Sequence, residues 1–205
     1  YPMGPDGSKK GKKIMKCKEK TDCFQRNCVN PECRGIDMKC KNKRNDEKEC
    51  LKLVKACQCT LWCINRPKLE VYYTEEGDDR LLGHIIDNFD CCNYTFGIYK
   101  ENDEPLYKVK GNCCQLGLLC SCPCEACEKV DFELLTPDGS PVGGIQKRGA
   151  GNCFKNAVGD ADRFNIPFPK GAPWEHRALL LATALMIDYR MFENKKGGDG
   201  VSIGG

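Results

Sequence analysis

The sequence predicts a mainly β protein: a closed antiparallel sheet wrapped around one buried hydrophobic helix. Three observations carry this expectation. Apolar residues recur at every second position in segment after segment, the pattern of strands buried on one face. Clusters of Gly, Pro, Asn and Asp punctuate those segments at short intervals. One stretch near the C-terminus, 178–193, is apolar without alternation and reads as a helix.

Along the chain, Asp6-Gly7 is the first turn signal. GIDMKC then sets Ile36, Met38 and Cys40 on one strand face, and NDE at 45–47 turns the chain. KLEVYY aligns Leu69, Val71 and Tyr73 ahead of the turn EEGDD at 75–79. YTFGIY aligns Tyr94, Phe96 and Ile98, followed by ENDEP at 101–105. VDFEL aligns Val130, Phe132 and Leu134, followed by PDGS at 137–140. The whole amounts to about ten strands, with no internal repeat.

The helix is expected over about 174–192, with Pro173 suited to its start. On a helical wheel Thr183, Arg190 and Glu193 share one side and Asp188 lies nearly opposite. The rest is apolar all round, which requires burial and makes Asp188 a buried polar group. Replacing Leu181 or Leu185 by Asp is therefore expected to unfold the protein. The uncharged run 178–187 is short of the roughly 20 residues a membrane span needs. Extending it takes in Asp188 and Arg190, each costing about 2.5–3.5 kcal/mol near a bilayer centre. A sheet closed around the helix buries both apolar surfaces and removes the sheet edges.

A chain of 205 residues supports one sizeable core or two small ones. Its net charge of +3 is uneven: residues 1–56 hold 16 Lys/Arg against 8 Asp/Glu, a local +8 that leaves −5 for the remainder. A basic end favours an anionic partner, a lipid headgroup surface or nucleic acid. The 18 cysteines are far above ordinary usage. The chain is too long to need a secreted disulfide scaffold and shows no signal peptide, so reduced, metal-bound or acylated cysteines in an intracellular protein are expected. In CSCPCEAC, Cys120, Cys122 and Cys124 share a face if extended, and Cys127 follows at CxxC spacing. With Cys113 or Cys114 these could surround zinc, although zinc sites more often pair two separated CxxC units, and zinc is the less favoured reading. Cys23, Cys28 and Cys33 form a second, looser group.

No enzyme signature stands out. His84, in a strand, and His176, beside the helix start, are the only histidines, and a structural role is the default for both. GGIQKRGAG, 143–151, lacks both the P-loop Lys-Ser/Thr and GxGxxG spacing.

Six stretches in order, TDCFQRNC (21–28), CQCTLWC (57–63), LGHII (82–86), VDFELL (130–135), DADRFNIPFP (160–169) and ALLLATALMIDYRMFE (178–193), resemble the phospholipid scramblase family. That family has a tubby C-terminal-like, LURP-one-related fold. The resemblance implies a barrel of about twelve strands around a hydrophobic C-terminal helix. The first family strands have no counterpart, so 1–194 reads as an N-terminally incomplete barrel domain and 195–205 as a flexible Gly-rich tail. It implies ATP-independent, calcium-regulated, bidirectional movement of phospholipids between leaflets, by a protein that is not an enzyme and sits at the cytoplasmic face of a membrane. It also implies S-palmitoylation at Cys57, Cys59 and Cys63 and calcium binding at Asp160 and Asp162. Membrane phospholipids are the expected partners, with protein partners besides; nucleic acid is disfavoured. The alternative function is a non-catalytic module binding membranes, phosphoinositides or proteins.

The residues themselves support calcium weakly. Read as a 12-residue loop, 160–171 places Phe164 and Phe168 at positions 5 and 9, Asn165 where glycine belongs, and Gly171 where the bidentate Glu belongs, so it is not an EF-hand. Arg163 adds a cation beside the carboxylates. The segment reads as a turn feeding a strand whose Phe164, Ile166 and Phe168 point inward.

Overall fold

A computed structural model describes residues 15–20, 33–42, 48–58, 60, 63–119, 127, 129–148 and 163–192. Ten strands form one sheet: β1 (Met15–Glu19), β2 (Ile36–Asn42), β3 (Glu49–Lys55), β4 (Lys68–Glu75), β5 (Asp78–Asn88), β6 (Asn93–Lys100), β7 (Pro105–Asn112), β8 (Lys129–Leu135), β9 (Pro141–Arg148) and β10 (Arg163–Asn165). A single turn of helix, α1 (Leu116–Leu119), lies between β7 and β8, and the long helix α2 (Trp174–Met191) follows β10. Strand order is sequential from β1 to β10, and each neighbouring pair is antiparallel.

The alternation read from the sequence sets which face is buried. Ile36 and Cys40, Leu69 and Val71, Phe96 and Ile98, and Val130, Phe132 and Leu134 all lie in the core. From the helix, Leu179, Leu180 and Ile187 are almost wholly buried against them. Each such side chain contributes about 1.5–3 kcal/mol relative to an exposed position. The helix lies close on the sheet: a Cβ on Gly83 of β5 would come within 3.2 Å of Leu179 Cδ2 and would collide with the Tyr99 carbonyl oxygen. The turn in EEGDD is a two-residue hairpin between Glu75 and Asp78. Glu76 (φ 51°) and Gly77 (φ 98°) both take left-handed backbone, the geometry that matches the strand twist.

Three expectations are modified. Among the described residues the sheet is not closed by hydrogen bonds, because β1 and β10 are its two edges and do not pair with each other. The closed ring of about twelve strands is thus not seen; an open ten-strand sheet cradles the helix instead. The helix is not enclosed all round: Leu181, Leu185 and Asp188 lie on one half-exposed face. The strand beginning in DADRFNIPFP stops at Asn165, and Phe168 is 43% exposed rather than inward. Pro167 and Pro169 have no N–H to extend the ladder, so the pairing with β9 ends there.

Candidate functional site

The last turn of α2 meets the sheet where β5 ends. Asp87, the penultimate residue of β5, is buried and held by two arginines. Arg66 Nη2 lies 2.7 Å from Oδ1, and Arg190 Nε donates to Oδ2 at 3.1 Å. Arg66 Nε also donates to the Asp87 carbonyl at 2.6 Å. A carboxylate can be taken out of water at this depth only because both oxygens meet a guanidinium.

Beside this clamp, Arg34 and Lys55 are buried to 3% and 4% exposure. Lys55 Nζ donates to the Arg34 carbonyl at 2.6 Å, and the Tyr189 hydroxyl donates to the same oxygen at 3.3 Å. The Tyr189 ring lies 4.7 Å from the Arg34 guanidinium and 5.9 Å from the Lys55 ammonium, and Arg34 pairs with Glu19 at 3.2 Å. Burial pushes the Lys55 ammonium below its ordinary value; the thiols of Cys57 and Cys33 oppose that shift, and the charges of Arg34 and Arg190 add to it.

The cysteines divide into two groups. Cys17 and Cys40 form a disulfide that joins β1 to β2 at directly opposed positions. The expectation that the cysteines are reduced, metal-bound or acylated therefore fails for this pair, because the register brings both inward-facing sulfurs together. The remaining described cysteines are free thiols, and Cys57, Cys63, Cys91, Cys92 and Cys114 among them are exposed. Because Asn93 of β6 pairs with Asn112 of β7, the vicinal pairs Cys91-Cys92 and Cys113-Cys114 flank one end of a single ladder. The sulfurs of Cys113 and Cys114 are 3.7 Å apart. The hydrogen bond with Cys114, then burial, pushes the Cys113 thiol up.

Of the residues singled out in the sequence, Cys57 and Cys63 are exposed where they could carry a lipid, while Cys59 lies outside the described residues. Asp160, Asp162, Cys120, Cys122 and Cys124 also lie outside them, and Cys127 is half-buried. Among the described residues no group of three or more His, Cys, Asp or Glu is placed to hold a metal ion. Asp188 is half-buried rather than buried; the wholly buried polar residue of α2 is Thr183, whose hydroxyl donates to the Leu179 carbonyl at 2.8 Å. Both histidines have structural partners. His84 stacks on Tyr99 and approaches Asp103 at 3.5 Å, and His176 Nδ1 meets the Tyr107 hydroxyl at 3.3 Å. The Asp87 clamp escaped the sequence reading, since nothing in the spacing of residues 66, 87 and 190 brings them together. Together these residues form a buried network at the C-terminal end of the helix, its guanidiniums paired with Asp87 and Glu19 and its ammonium held by a backbone carbonyl.

A family model described as Scramblase matches residues 7–194. The chain is 29% identical over 188 residues to phospholipid scramblase 2 of Bos taurus, covering 91% of this chain and 60% of the relative. It is 29% identical over 189 residues to phospholipid scramblase 1 of Homo sapiens, covering 90% and 54%. Phospholipid scramblase 4 of Homo sapiens is 27% identical over 140 residues, covering 67% and 39%. The chain thus spans between 39% and 60% of the length of these relatives. No solved structure matches it.

Proposed function

Since the chain belongs to the scramblase family, we propose that it is a membrane-associated scramblase-type protein that moves phospholipids between leaflets in both directions without ATP. On this reading it is a lipid transporter rather than an enzyme, and its partners are membrane phospholipids met at the cytoplasmic face. The family match over 7–194 is the observation that carries the reading. Cys57, Cys59 and Cys63 would hold acyl chains; stable attachment takes two lipid signals, or one together with a basic patch. Calcium would act as a weak regulator at Asp160 and Asp162, since a segment offering two carboxylates and no ligand at its last position leaves most of the shell unfilled.

The test is a liposome assay with a fluorescent phospholipid and a membrane-impermeant quencher, without nucleotide. Scrambling bleaches signal beyond the outer-leaflet fraction, in either direction of lipid loading. Calcium added in the same assay should change the rate only near millimolar concentration, and an Asp160→Asn, Asp162→Asn variant should lose that response. Bleaching that stops at the outer leaflet would overturn the transport reading.

One structural observation favours the second reading, a binding module that does not transport. Leu179, Leu180 and Ile187 of α2 are spent on the core, so the helix does not offer them to lipid. No described helix is long and apolar enough to cross a membrane. Vesicle binding without bleaching beyond the outer leaflet would favour that module.

A further inference from the structure

The sheet is chemically polarised along its strands. With sequential antiparallel order, the connections that leave odd-numbered strands lie at one end and those that leave even-numbered strands at the other. All eight described cysteines outside the strands fall in odd-leaving connections. So do four of the six exposed large apolar residues: Ile64 (64% exposed), Phe89 (47%), Leu116 (55%) and Leu119 (70%).

Exposed charge at the strand ends follows the same axis. Exposed Lys68, Lys129 and Arg148 stand at the strand ends beside the apolar residues, whereas Glu75 and Asp78 stand at the opposite strand ends.

We propose that the odd-leaving end docks on an anionic phospholipid bilayer. Ile64, Phe89, Leu116 and Leu119 would enter the interface, and Lys68, Lys129 and Arg148 would lie at headgroup level. The inference rests on the membrane reading above and specifies which face meets the lipid. Exposed apolar side chains fringed by cations are what such a surface selects. Cys57 and Cys63 open on the same end, so a chain attached there would point into the same bilayer.

The test is sedimentation of the purified chain with vesicles of phosphatidylcholine and phosphatidylserine. A Phe89→Ser, Leu116→Ser, Leu119→Ser variant should partition at least tenfold more weakly with an unchanged thermal midpoint. Phe168→Ser, at the opposite end, should bind as the wild type does. Should the triple variant fail to fold, Leu116→Ser and Leu119→Ser made singly should each weaken binding. Wild-type binding should fall on vesicles of phosphatidylcholine alone and in raised salt. A folded triple variant that binds normally, loss of binding in Phe168→Ser, or equal binding to neutral vesicles would overturn the assignment while leaving the membrane reading standing. The same holds if the substitutions disrupt only self-association. A wild-type chain that does not sediment with either vesicle would overturn both.

Discussion

Arg190 Nε donates to Asp87 Oδ2 at 3.1 Å, tying the last turn of α2 to the end of β5 across 103 residues of chain. Arg66, from the connection between β3 and β4, closes the other side of the same carboxylate, so two elements and a connection meet at one buried group. The clamp therefore fixes how the helix lies in the sheet.

Removing the carboxylate leaves two guanidiniums facing each other with nothing between them. Asp87→Ala should destabilise the fold by about 3 kcal/mol, the lower part of the range for breaking a buried pair, because both arginines keep partial exposure. Urea unfolding at neutral pH measures this. A loss below about 1 kcal/mol would place the clamp with ordinary surface pairs.

The Cys17–Cys40 bridge closes a sequence separation of 23 residues and holds the edge strand β1 to the sheet. Cys17→Ser with Cys40→Ser should cost about 3 kcal/mol relative to the oxidised protein. A tryptic digest under non-reducing conditions should contain the linked peptide. Alkylation of both cysteines without reductant would show that the pair is not bonded.

The strand faces were legible because burial on one face leaves a period of two: Leu69 and Val71, Phe96 and Ile98, Val130 and Phe132 are buried as the alternation requires. The helix was legible from its composition and Pro173. Phe168 shows where the same rule breaks, since a period continues through Pro167 in sequence although the ladder cannot. The site was much less legible. Asp87, Arg66 and Arg190 meet only through tertiary packing, and the Cys17–Cys40 pairing depends on a register between two strands that no local signal sets. The gathering of the cysteines outside the strands into the odd-leaving connections is written in the sequence, but becomes visible only when the connections are sorted by strand parity.

His84 is buried on β5, and burial holds its imidazole below the ordinary value, with the Lys68 charge adding to that and Asp103 partly opposing it. The unfolded chain therefore takes up a proton at a higher pH than the folded protein does. Stability should fall as pH drops from the ordinary histidine value of 6.5 toward the lower folded one, and this contribution should level off below it. His176, also depressed chiefly by burial, acts in the same direction. Thermal midpoints measured from pH 7.5 to pH 5 should fall for the wild type and fall less for His84→Gln. Parallel profiles would remove His84 as a source of the slope.

The two faces of α2 should respond differently to truncation. Leu180 is wholly buried between helix and sheet, while Leu181, one residue on, lies on the half-exposed face with Leu185 and Asp188. Leu180→Ala should cost about 3 kcal/mol, because the packed sheet cannot collapse into the space the side chain leaves. Leu181→Ala should cost roughly 1 kcal/mol, as its side chain already gives up part of its burial. The same asymmetry revises which charge substitution unfolds the protein. Leu180→Asp or Ile187→Asp should abolish folding, whereas Leu181→Asp and Leu185→Asp can turn a carboxylate toward solvent and should leave a cooperative transition. Denaturant unfolding of the two alanine variants, side by side, decides the matter. Equal losses at 180 and 181 would mean that the helix is enclosed on every side, and that the open seam beside Leu181 is covered in the folded protein.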